Sequence, residues 1–264
     1  MPSSKLELDY ETQGFAFCSS LLSPAEMATL NRELDRILAG TTDPQKIIRE
    51  KDGTTPRTIV NPHLWSDPYQ RLMRHPKIVG AVEEILGEKV YCWQTGLNCK
   101  AAFNGDVWFW HQDYPAYQKD DHIPQPRMVN ALIFLDDVSQ LNGPLMLVPG
   151  SQKLADDMPE HTDQGTSYTF RYTTRAVIEA EVTRAGIEVP TGPAGSVIFM
   201  NVNTLHGSGA NLSPWSRRLA TFTYNAMSNK ATSRSIRPAH IVPDDKDAVA
   251  ITALSADCLT GVPA

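Results

Sequence analysis

A mainly β fold with flanking helices is what this sequence predicts, on three observations. Capped helical periodicity is confined to the first 88 residues. From about residue 89 to 240 the chain becomes short apolar segments punctuated by Gly, Pro and Asn. The gaps between most of them are too short for crossover helices, which suits antiparallel strands rather than a parallel βαβ sheet. The expected architecture is a double-stranded β-helix (jelly-roll, cupin-like) core with an N-terminal helical layer.

The helical layer has clear boundaries. In "LSPAEMATLNRELDRILAG", Ser23 is the N-cap, Pro24 takes the first helical position and Glu26 closes a capping box. Met27, Leu30, Leu34 and Leu38 keep helical spacing, and Gly40 ends the run. "HPKIVGAVEEILG" reads as a second helix ending at Gly87, and "REKDGTTPRTIVNPHLWSDP" between the two reads as loop. The strand candidates are "KVYCWQTGLNCKAAF", "GDVWFWHQDY", "RMVNALIFLDDV", "GPLMLVPGS", "GSVIFMNVNTLHGSG" and "RRLATFTYNAM". Residues 152–190 are polar with little β pattern, the texture of a lid-like insertion. The expectation is one domain over 1–264: helical layer and loop to 88, core over 89–240, and a tail over 241–264.

Composition narrows the function classes. The chain has 264 residues, 41% apolar and 20% charged, enough for a sizeable core without staples. A net charge of −6 argues against nucleic acid or an anionic membrane as partner. No apolar run approaches the roughly 18 residues of a membrane span, and "MPSSKLELDYETQG" is too polar for a signal peptide. Cys18, Cys92, Cys99 and Cys258 form no CxxC pair and read as reduced thiols. A cytoplasmic protein acting on a small molecule, as monomer or homodimer, is expected.

The chemistry is concentrated in "DVWFWHQDYPAY". On a strand, His111 and Asp113 would share one face and could be two metal ligands, or two polar residues where an aromatic strand runs out. Spacing alone does not decide, because His161 and Asp163 repeat the pattern in a turn-rich, acidic setting. His206 ends an apolar β run and precedes a Gly-rich turn, so a distant strand can bring it to the same face. Two histidines and a carboxylate suit Fe(II), Mn or Zn and leave coordination positions open. Arg217, eleven positions after His206, would return beside that pocket with a fork matched to a carboxylate, and Ser208 could add a hydroxyl.

The stretches "FWHQDYPAY", "LDDVSQLNGPLMLVPGSQ", "TGPAGSVIFMN", "LHGSGANLSPWSRR" and "TFTYNAMSN" resemble the phytanoyl-CoA dioxygenase-like superfamily of Fe(II)/2-oxoglutarate oxygenases. Within it they look closest to ectoine hydroxylase and the hydroxylases of free proline and leucine, over about residues 46–240. The resemblance implies His111, Asp113 and His206 as iron ligands, and Arg217 with Ser208 on the distal carboxylate of 2-oxoglutarate. Gln94 and Asn98 fall where these enzymes contact cosubstrate or substrate, and Arg237 matches an arginine that binds a substrate carboxylate. Departures lie around the substrate: Gly96 stands for a basic residue, Tyr117 for a tryptophan, and Ala239 for a glutamate.

What the resemblance implies is hydroxylation of an unactivated C–H, with Fe(II), 2-oxoglutarate and O₂ consumed to give succinate and CO₂. A free L-amino acid or cyclic derivative, proline-, pipecolate-, leucine- or ectoine-like, is the expected substrate. Desaturation or epoxidation of another natural-product intermediate is the alternative. Trp108, Trp110 and Tyr117 would wall the substrate, and Arg57 joins Arg237 as a candidate for its carboxylate. Asp113 argues against halogenation, which needs a small residue there to admit chloride. Two other classes compete: a Zn or Mn hydrolase or isomerase, which has no need of Arg217, and a non-catalytic jelly-roll binding protein.

Overall fold

A computed structural model describes residues 4–154, 160–163 and 170–261. The chain begins with α1 (Lys5–Gln13), β1 (Phe15–Cys18), α2 (Pro24–Gly40), β2 (Ile47–Arg49), β3 (Pro56–Val60), α3 (Asp67–Met73) and α4 (Pro76–Leu86). Ser23 caps α2 in a complete capping box with Glu26, and Gly87 closes α4 in the left-handed region. Leu30, Leu34 and Ile37 of α2 and Ile78 and Val82 of α4 are fully buried, Ile37 lying deeper than Leu38. They pack on Val129, Ala131, Ile133 and Phe222, so the helical layer covers one face of a sheet.

The core continues with β4 (Val90–Lys100), β5 (Trp108–His111), α5 (Tyr114–Lys119), β6 (Met128–Phe134) and β7 (Met146–Leu147). It is completed by β8 (Glu160–Asp163), β9 (Phe170–Thr173), α6 (Arg175–Ala185), β10 (Val197–Asn201), β11 (His206–Ser208) and β12 (Arg217–Ala226). The larger sheet has the order β1-β10-β6-β12-β4-β3-β2 and the smaller β5-β11-β7, with antiparallel pairing throughout. This is the expected jelly-roll arrangement of two facing sheets. It also explains why β6 reads as a continuous apolar run: Val129, Ala131 and Ile133 face the helices while Leu132 and Phe134 face the space between the sheets.

Two regions differ from the sequence expectation. The stretch read as loop between α2 and α4 contains β2, β3 and α3. β2 and β3 are too short to announce themselves; β3 is ordered by pairing onto β4, with Val60 opposite Gly96 and Thr58 opposite Asn98, and β2 by pairing onto β3. Within the insertion expected over 152–190, residues 155–159 and 164–169 lie outside the described residues. The rest contains the β8–β9 hairpin and α6, and the second H-x-D, His161 and Asp163, lies on β8. Tyr172 of β9 meets Phe109 of β5 with ring centroids 5.5 Å apart, and Arg171 pairs with Asp120 at 2.9 Å. No helix among the described residues is long and apolar enough to cross a membrane.

Candidate metal centre and cavity

His111 and His206 are direct cross-strand partners on β5 and β11, which brings their rings to a centroid distance of 4.1 Å. Each ring is oriented through Nδ1, which faces the carbonyl of the residue two before it: Phe109 at 2.7 Å and Thr204 at 2.9 Å. That leaves both Nε2 atoms toward Asp113, 3.4 Å from Oδ1 for His111 and 3.9 Å from Oδ2 for His206. One ligand atom from each of the three residues falls within 4.8 Å of the others. Among the described residues this is the one such group of three or more His, Cys, Asp or Glu side chains.

Asp113 reaches the group by a different route from the one its spacing suggests. β5 stops at His111, and Asp113 is the N-cap of α5 rather than a strand residue. The turn is pinned to the β10–β11 link: the amides of Asp113 and Tyr114 both donate to the Val202 carbonyl, and Gln112 Nε2 donates to Asn203 O at 2.6 Å. Asn130 Nδ2 donates to Asp113 Oδ2 at 2.6 Å, and Thr223 Oγ1 holds the Asn130 carbonyl at 2.7 Å. The local pattern hid this chain of contacts; its signal was a lone asparagine inside the apolar run "MVNALIFL".

The electrostatics suit cation binding. Burial works to raise the Asp113 carboxyl, but the charges of His206 and His111 and the Asn130 hydrogen bond outweigh it and hold it low. Burial, then the neighbouring His111, pushes His206 down to about 4, so it is neutral with a free lone pair at pH 7.

The three residues open into a cavity of about 180 Å³ between the sheets. Arg217 stands in its wall, only 2% exposed, where Nε and Nη2 donate to the Gly143 carbonyl at 2.9 and 2.7 Å. Its Nη2 also reaches Ser208 Oγ at 3.3 Å, which ties it to the strand that carries His206. No described carboxylate forms an ion pair with it, and burial pulls its guanidinium down to about 10. Gly143 makes this seat possible: its φ is +72°, and a Cβ would lie 2.9 Å from the Gly209 carbonyl.

Arg237 also borders the cavity but is already paired. Its Nε donates to Asp121 Oδ1 at 2.8 Å, Nη2 bonds Asp121 Oδ2, and Nη2 reaches Gln94 Oε1 at 3.2 Å. Its guanidinium lies 5.5 Å over the Tyr117 ring, and Gln94 Nε2 donates to the Tyr117 hydroxyl at 3.1 Å. Burial, then the nearby charge of Asp113, raises the Tyr117 phenol well above its ordinary range. Asn98 and Ser208 border the cavity as well.

Two expected substrate contacts are placed elsewhere. Arg57 is outside the cavity lining: Nη1 bonds both Glu50 oxygens at 3.0 and 3.1 Å, and the guanidinium stacks 3.9 Å over Trp108. Trp110 is also absent from the lining, since strand alternation turns it away from His111. Trp108 borders the cavity instead, beside a register irregularity between its partner Ser208 and His206.

The phytanoyl-CoA dioxygenase (PhyH) family model matches residues 10–219, which span the helical layer, the triad and Arg217. The chain belongs to the phytanoyl-CoA dioxygenase family. It is 34% identical to ectoine dioxygenase of Bordetella bronchiseptica, over 88% of this chain and 79% of the relative. It is 31% identical to L-proline trans-4-hydroxylase of Streptomyces griseoviridis, over 86% of this chain and 88% of that one. The crystal structure of EctD from S. alaskensis with 2-oxoglutarate and 5-hydroxyectoine superposes with a TM-score of 0.84 at 26% identity, covering 96% of this chain and 87% of that one.

Proposed function

We propose that this family member is a single-domain, cytoplasmic Fe(II)- and 2-oxoglutarate-dependent dioxygenase. Its substrate on this reading is a small free amino acid or cyclic amino-acid derivative, hydroxylated at an unactivated C–H. The observation that carries the proposal is a buried arginine without a carboxylate partner among the described residues, in the same cavity as a His–Asp–His group. A metal hydrolase accounts for the triad and not for Arg217. An oxygenase needs both.

The donor set fits a divalent metal. His111, Asp113 and His206 would hold it, with both imidazoles oriented by backbone carbonyls and the carboxylate by Asn130. Bound iron would supply O₂ activation, coupled to decarboxylation of 2-oxoglutarate. Arg217 and Ser208 would grip the far carboxylate of that cosubstrate and set its orientation. Leu132, Leu145, Met200 and Leu219, which border the cavity near them, would exclude water along its methylene chain. At the other end Arg237, Gln94 and Tyr117 would bind and orient the carboxylate of the substrate. The described part of the β8–β9 hairpin packs on β5 at the Tyr172–Phe109 contact, in keeping with a covering role.

The test is anaerobic addition of Fe(II) and then 2-oxoglutarate to the purified protein. A weak visible charge-transfer band is expected, followed by succinate release when O₂ and a panel of amino acids are supplied. Neither signal would appear if the protein were a hydrolase or a passive binding module.

A further inference from the structure

We infer that Gly96 determines substrate specificity, because the space its missing side chain leaves is where the hydrocarbon part of the substrate rests. This rests on the functional reading above and names a feature of the same cavity.

The large sheet meets the cavity as a grid of cross-strand rows. One row runs Asn130–Thr223–Gln94 and another Leu132–Thr221–Gly96–Val60. A third runs Leu219–Asn98–Thr58–Ile48. All of these residues border the cavity, and only Gly96 contributes no side chain. It therefore leaves a gap rimmed by Gln94 and Asn98 along its own strand and by Thr221 and Val60 across it.

Neither backbone nor packing explains a glycine there. Its φ is not in the left-handed region, and a Cβ would sit at ordinary contact distance, 3.6 Å from Thr58 Cγ2 and 3.7 Å from the Ile59 carbonyl. A glycine inside a strand weakens it and commonly marks close approach of a ligand. Here the strand is 11 residues long and central to the site, so that cost falls on a structurally important element.

The neighbours indicate the chemistry of the occupant. Val60 and Ile241 are aliphatic, Thr58 and Thr221 offer a methyl and a hydroxyl each, and among the described residues no carboxylate other than Asp113 borders the cavity. Gln94, which touches Arg237, is one strand repeat away, about 7 Å. A carboxylate held at Arg237 thus leaves room for a short aliphatic ring or branched chain lying over residue 96. The structure assigns the gap to a compact amino acid or cyclic derivative with an uncharged aliphatic body.

The experiment compares wild type with Gly96→Ala and Gly96→Val, all loaded anaerobically with Fe(II) and 2-oxoglutarate. L-proline, L-pipecolate, L-leucine and ectoine are titrated calorimetrically, and hydroxylated product is then measured after O₂ is admitted. A methyl group of space is worth roughly 10- to 200-fold in discrimination. The expected result is at least a roughly tenfold weaker affinity for the best probe with Ala and a larger loss with Val. The larger probes should be lost first, while the charge-transfer band and the melting temperature are retained. Equal affinities across the three proteins, or no probe bound by a wild type that shows the band, would overturn the role of Gly96. An absent band in wild type would instead overturn the oxygenase reading, and this inference with it.

Discussion

The two arginines at the ends of the cavity differ in one respect that matters. Arg217 is buried against a carbonyl and a hydroxyl, with no described carboxylate in reach. Arg237 is held through two of its nitrogens by fully buried Asp121. A guanidinium removed from water without a counter-ion is costly, and an incoming dianion relieves that cost. The Arg217 end is therefore poised for a charged cosubstrate. At the other end the arginine is already neutralised, so it orients a partner more than it attracts one. On the proposed function, one cavity would thus separate tight anchoring of a common cosubstrate from shape-based choice of a substrate.

The largest effect is expected between the two ends. Asp113→Ala should abolish hydroxylation while far-UV circular dichroism stays native, since the carboxylate joins the two histidines without serving the hydrophobic core. Product formation in that variant would show that the two ends are not coupled through the triad. Next, Arg217→Met should raise the KM for 2-oxoglutarate by roughly a hundredfold. It should leave the melting temperature equal or higher, because a buried charge without a counter-ion is removed. A marked loss of stability would contradict the contrast drawn between the arginines.

Arg237→Gln is expected to raise the KM of a carboxylate-bearing substrate by about tenfold, the scale of one charge-assisted hydrogen bond. The KM for 2-oxoglutarate should not follow. Parallel changes in both constants would mean that the two ends are not independent.

The last effect concerns acid and acts on stability rather than on binding. The Arg237 end is strapped by Asn61, whose Nδ2 donates to the carbonyls of His240 and Ile241, and by His63 on Thr95 at 2.7 Å. Burial lowers His63 to about 4, from about 6.5 in the unfolded chain. Its neutral form is thus favoured on folding, fully above pH 6.5, and that stability is lost as the pH falls toward 4. The loss is about 2 kcal/mol by pH 5. Chemical denaturation of wild type and His63→Gln at pH 7.5 and 5.0 should show a steeper decline for wild type, and parallel declines would refute it.

How much of this was legible in the sequence follows from the range of each interaction. The α2 cap, the α4 stop and the β segments are local patterns, and they read correctly. His111, His206 and Arg217 were marked by residue type at the ends of apolar strands. The strand-face argument brings Asp113 to the two histidines by a geometry the chain does not use, because the turn that aims it is held by Val202 and Asn203. Arg57 and Trp110 lie outside the cavity lining for a related reason. A stacking partner and a register irregularity decide which aromatic faces the cavity, and neither has a local signature.

By itself the sequence determined the fold class, the kind of chemistry and the candidate residues for it, because ligand types, caps and strand periodicity are written within a few positions. Tertiary structure alone decided that Asn130 orients Asp113, that Asp121 neutralises Arg237 from 116 positions away, and that Gly96 is a gap in the cavity wall. Each depends on which strand lies beside which and in what register. That choice is made by burial over the whole core, and no short stretch of the chain contains it.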